Sequence, residues 1–89
     1  MNKQRRNTLE KLILKLEDIR ELFQEVKDDI ESIKDEEQEA MDNIPESLQE
    51  TDRYYNMDEN VSDLDYAMDV DYDSAIDEIQ EYLQNCIDR

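Results

Sequence analysis

The sequence predicts an all-α protein, an antiparallel helical hairpin of two long amphipathic helices that is expected to dimerise into a bundle. Three observations carry that expectation. The chain has no Gly and a single Pro, so little in it interrupts a helix. Apolar residues recur at steps of three and four along both halves, the period of a buried helical face. Pro45 stands near the middle, where a hairpin has to turn. With 89 residues there is room for one domain, residues 1–89. A domain of that size buries a modest share of its surface alone, which is why a second copy is expected to complete the core.

In the first segment Leu9, Leu12, Leu16, Ile19, Phe23, Val26, Ile30, Ile33, Glu37 and Ala40 form a heptad seam interrupted only by Glu37. Ile13, Leu14, Leu22 and Met41 widen the stripe, as in a helix that touches more than one neighbour. Lys27 with Glu31, and Glu31 with Lys34, are helical neighbours of opposite sign. A helix is predicted from about 3 to about 41, roughly 55 to 60 Å long at ~1.5 Å per residue.

Asp42-Asn43-Ile44-Pro45 ends that helix, because Pro45 disfavours helical backbone at Ile44 and has no amide hydrogen of its own. A connector over about 42–51 follows. Within it Ser47 and Glu50 have the spacing of a capping box, Thr51 or Asp52 is the expected N-cap of the next helix, and Ile44 and Leu48 are expected to tuck under the tip. The second helix is predicted over about 52–87. Its seam is Tyr54, Met57, Val61, Leu64, Met68, Tyr72, Ala75, Ile79, Leu83 and Cys86, with drift after Met68 where steps of four adjoin.

Charge is placed unevenly. Residues 1–34 carry eight basic and eight acidic side chains, whereas residues 35–89 carry nineteen acidic ones against Arg53 and Arg89, so the whole net charge of -17 lies in the second part. Such a surface repels nucleic acid and anionic lipid, and attracts basic proteins or cations. No direct nucleic-acid or membrane contact is expected, and no run approaches the ~18 apolar residues a membrane span needs. One cysteine, Cys86, cannot form an internal disulfide, and the chain does not open on a signal-like segment. A cytoplasmic setting is therefore expected.

Catalysis has almost no candidates: there is no His to act as a base and no Gly-rich phosphate loop, and the lone Cys sits on the apolar seam. The chain is read as no enzyme, with no cofactor and no metal site. The nearest approach to a metal motif runs from Asp69 to Gln80, with oxygen-bearing residues at the first, third, fifth and ninth places of a calcium loop. It lacks the Gly at the sixth place, where Ser74 stands, and the Glu at the twelfth, where Gln80 stands. Calcium binding is thus the least favoured of three functional readings.

The acidic face points elsewhere. Most of its carboxylates are Asp, a poorer helix former than Glu, which is not the choice that solubility alone would favour. Residues one turn apart rise about 5 to 6 Å, the scale of phosphate spacing along a nucleic-acid strand. The chain is accordingly read as an acidic protein-binding module whose partner is a protein with a basic nucleic-acid-binding groove. The expected contact residues are Asp63, Asp65, Asp69, Asp71, Asp73, Asp77 and Glu81, standing in for phosphates, with Tyr55, Tyr66 and Tyr82 as aromatic contacts. The bland alternative is a solvated face that keeps a small protein soluble. The structural alternative is a coiled-coil oligomerisation or adaptor protein using an exposed part of the first helix.

Glu36-Glu37-Gln38-Glu39-Ala40-Met41-Asp42-Asn43-Ile44-Pro45-Glu46-Ser47-Leu48-Gln49, followed by Arg53, resembles the connector of a family of small acidic helical proteins carried by phages and mobile elements of Gram-positive bacteria. The likeness extends to the basic start Asn2-Lys3-Gln4-Arg5-Arg6, the heptad helix, and the Ala75-Ile76 pair of an acidic second helix. The chain departs from the family pattern at Ala67-Met68 and in its longer Asp-Val-Asp-Tyr-Asp interval. The resemblance implies a phage or mobile-element protein acting in a bacterial host cell, where blocking a nucleic-acid-binding host protein is a plausible task for an acidic module.

Overall fold

The structure, a computed structural model, describes residues 1–89 and is all-helical, with no strands. Helix α1 spans Lys3–Asp42, a short 3-10 turn spans Glu46–Leu48, α2 spans Asp52–Asp69 and α3 spans Asp73–Asp88. The chain gathers into two compact units, one of Met1–Gln24 with Asp71–Arg89 and the other of Glu25–Val70.

Local chemistry sets the helix ends. Asn2 caps α1, its side-chain Oδ1 accepting the Arg5 amide hydrogen at 2.8 Å. After Asp42 the helical bonding runs out, and Pro45, at φ -55° and ψ 144°, leads the chain into the 3-10 turn. Thr51 is the N-cap of α2: its hydroxyl oxygen accepts from the Tyr54 amide at 3.4 Å and its hydroxyl donates to the Leu48 carbonyl at 2.9 Å. The Ser47–Glu50 capping box does not form, because Ser47 lies within the 3-10 turn. Ile44 packs on the core under the tip as expected, but Leu48 stays exposed at 51%.

In place of one second helix over about 52–87 there are two. Val70 takes up extended backbone at φ -62° and ψ 126°, which ends α2. Asp71 then restarts the helix, with Oδ1 accepting the Ser74 amide hydrogen at 3.0 Å and Oδ2 accepting the Ser74 hydroxyl hydrogen at 2.6 Å. The cause is legible in the residue types. Asp69, Asp71 and Asp73 flank a β-branched Val, and an Asp three places before a Ser satisfies the first amides of a helix better than it sits inside one.

In the unit of Glu25–Val70, the C-terminal half of α1 runs antiparallel to α2 around Met41, Met57 and Val61, with Ile44 and Tyr54 packed on that cluster. The α2 seam predicted from Tyr54 to Met68 faces inward. In the other unit, the N-terminal half of α1 runs antiparallel to α3. There Ile76 is 4% exposed, and the rings of Phe23 and Tyr72 stack at 3.9 Å and 6°. After the helix break Ile76 and Gln80 turn inward where Ala75 and Ile79 were expected, while Tyr72, Leu83 and Cys86 face inward as predicted.

The α1 seam is also rotated. Leu9, Leu16, Phe23, Ile30 and Glu37 face inward as predicted, but the second inward row is Arg6, Ile13, Arg20, Lys27, Lys34 and Met41. The expected second row is left out: Leu12 is 39% exposed, Ile19 41%, Val26 48% and Ile33 54%, and Ala40 is exposed too. Opposite charge decides the rotation. Both α2 and α3 are acidic, and turning the basic row of α1 towards them gains ion pairs that the apolar row could not make.

Candidate interaction surfaces

Two internal clasps use carboxylates that the sequence assigns to a partner. Arg20 is the larger one. Its Nη1 donates to Asp73 Oδ1 at 2.9 Å, its Nη2 to Asp77 Oδ1 at 2.5 Å, and its Nε to Glu17 Oε1 at 3.3 Å. Gln80 braces the cluster by donating to the Ile13 carbonyl at 3.2 Å and to Glu17 Oε1 at 2.8 Å. The hydrogen bond that Arg20 donates to Asp77 raises the Arg20 pKa above its ordinary value, opposed by partial desolvation and helped by the charges of Asp77 and Glu17. In the other unit Lys34 Nζ meets Asp65 Oδ1 at 2.5 Å, and that bond raises the Lys34 pKa in the same way. Glu37, the break in the apolar seam, accepts from Asn60 Nδ2 at 3.2 Å, so its inward position is satisfied.

Of the ten expected contact residues, Asp65, Asp73 and Asp77 are thus joined to cations of α1, and Asp71 caps α3. Asp63, Asp69 and Glu81 are exposed and join no cation. Tyr55, Tyr66 and Tyr82 are exposed at 53%, 71% and 63%. On α2 the structure brings Asp65, Tyr66 and Asp69 together with Ser62 around an open hollow of about 360 Å³, an aromatic ring flanked by carboxylates. Asp71, Asp73, Asp77, Glu81 and Tyr82 belong to the unit of α1 and α3, Asp71 just before α3 and the other four on it.

The stretch read as a calcium loop is not looped: its residues from Asp73 onward are helical, and the Asp71 carboxylate is turned to Ser74. No three carboxylate or thiol side chains converge anywhere in the protein as metal ligands would. Cys86 is a free, half-buried thiol.

Sequence reasoning missed the basic row of α1. Its signal was there, since Arg6, Arg20, Lys27 and Lys34 all fall on one seven-residue register, but a heptad search weights apolar residues and passes over cations that can face an acidic neighbour. Two further surfaces are apolar. Asn43, Ile44, Pro45, Leu48, Thr51 and Arg53 surround a hollow at the connector, and Leu12, Lys15, Leu16, Ile19, Ile79 and Leu83 line an open groove of about 360 Å³ between α1 and α3. No protein-family model, no curated protein and no solved structure matches the chain. No helix is long and apolar enough to cross a membrane.

Proposed function

We propose that this protein is a non-catalytic acidic interaction module that occupies a basic nucleic-acid-binding groove on another protein, as an inhibitor encoded by a phage or mobile element and acting in the bacterial cytoplasm. The observation that carries the reading is the uncompensated charge of α2 and α3: after Arg20 and Lys34 have taken their partners, Asp63, Asp69 and Glu81 still stand in solvent beside exposed Tyr66 and Tyr82. Carboxylates without an internal cation are the ones able to replace phosphates, since they lose no existing bond on binding. The contact set is therefore narrower than charge alone suggests, with Asp65, Asp71, Asp73 and Asp77 acting mainly inside the fold.

The test is a D63N/D69N/E81Q variant against the wild type, using host proteins that are retained on the immobilised chain at low salt and released by DNA. The reading expects affinity to fall about tenfold or more and the dependence of log Kd on log salt to flatten, at unchanged helicity. Binding that survives the triple substitution undiminished would refute it.

A second reading, helix-mediated assembly, is favoured by a separate observation: the apolar row Leu12, Ile19, Val26 and Ile33 of α1 remains exposed along its length.

A further inference from the structure

We infer that α1 pairs with α1 of a second copy of this chain in antiparallel orientation, about a two-fold axis at Leu22. The inference deepens the assembly reading and is independent of the charge-led one. α1 is one uninterrupted helix from Lys3 to Asp42, and its exposed apolar residues Leu12, Ile19, Val26 and Ile33 repeat every seventh position along one face. From Leu12 to Ile33 that face is roughly 30 Å long at ~1.5 Å per residue, and Leu22, 60% exposed, lies beside its midpoint.

The charges that border this face choose the occupant. Next to the apolar row run Lys15, Leu22 and Asp29, also seven apart and all exposed, so the border is positive on one side of Leu22 and negative on the other. Neither Lys15 nor Asp29 has an ion-pair partner within the chain. An antiparallel copy centred on Leu22 sets each Lys15 against the other chain's Asp29, and brings Leu12 with Ile33 and Ile19 with Val26 to within one residue's rise of each other. A parallel copy would instead set Lys15 against Lys15 and Asp29 against Asp29. The next row outward, with Asp18 and Glu25, is acidic at its centre in either orientation and does not discriminate. A self-complementary border about one point is what an isologous two-fold interface requires. Near Leu12 and Ile19, the partly exposed Ile79 of α3 widens the apolar surface, so the incoming helix lies in a groove there and not on a bare ridge.

The test is charge reversal in the full chain, with the monomer–dimer constant read by sedimentation equilibrium and helicity checked by circular dichroism. Lys15→Glu and Asp29→Lys each turn two symmetry-related attractions into repulsions and are expected to weaken the dimer roughly tenfold. The double variant K15E/D29K restores the complementarity and is expected to return to within about threefold of wild type on the same argument. A wild-type chain that stays monomeric up to millimolar concentration would overturn both this pairing and the assembly reading. Dimerisation that is indifferent to the single reversals, or that the double variant fails to recover, overturns the antiparallel pairing while leaving assembly through α1 standing. Neither result bears on the acidic contact set, whose test uses α2 and α3 substitutions.

Discussion

The two units are built from helix pairs of the same kind but are held together by different chemistry. Around α2 the contact is chiefly apolar, with Met41, Met57 and Val61 buried together and the ion pair Lys34–Asp65 at its edge. Around α3 one buried Ile76 is accompanied by a stacked Phe23–Tyr72 pair and by Arg20 gathering Asp73, Asp77 and Glu17. The difference shows how a chain this acidic can still fold. The basic row of α1 converts repelling carboxylates into partners, at the cost of leaving an apolar row of α1 exposed.

The comparison can be broken most decisively at the buried residues. Ile76→Ala removes the one fully inward side chain of the α3 unit and is expected to cost about 2 to 4 kcal/mol, whereas Met57→Ala, with Met41 and Val61 able to settle around it, is expected to cost roughly 2 kcal/mol. Urea unfolding of both variants checks the order. If Met57→Ala proves the more damaging, the α3 unit rests on its polar clasp more than on Ile76.

A smaller effect is expected at the caps. Asp71→Ala and Thr51→Ala should each cost about 1 kcal/mol, with Asp71→Ala the larger because its carboxylate receives two bonds from Ser74 and sits at the positive end of α3. Thermal unfolding followed at 222 nm ranks them. Equal losses would mean that the second bond, from the Ser74 hydroxyl, adds nothing.

The smallest effect sharpens the contrast between the ion pairs. A raised Lys34 pKa means that the folded chain holds that proton more tightly than the unfolded chain. Its stabilisation is therefore full below the ordinary lysine value of 10.5 and is lost as pH rises through the raised folded value. Arg20 keeps its charge throughout that range, so the α3 unit has no matching loss. Lys34→Arg is expected to abolish the part of the alkaline destabilisation due to this pair, seen as slower amide exchange in α2 at pH 11 than in the wild type. Identical exchange in the two proteins would show that the pair contributes nothing.

Much was legible from residue order alone: an all-helical chain, α1 to within a residue at each end, the stop at Pro45, the Thr51 cap and the inward face of α2. These follow from local rules of propensity, capping and periodicity, which need no knowledge of neighbours. The helix break was legible in part, since three Asp around Val70 weaken a helix, but the continuing apolar period from Met68 to Tyr72 masked it. Tertiary structure alone decided which side of α1 faces inward. Two seven-residue rows, one apolar and one basic, lie on either side of the Leu9–Ile30 row, and periodicity cannot choose between them because both fit a helix equally well. The choice depends on what stands opposite, and acidic α2 and α3 select the basic row by Coulombic attraction at close range. That same selection determined which carboxylates remain in solvent and left Leu12, Ile19, Val26 and Ile33 exposed.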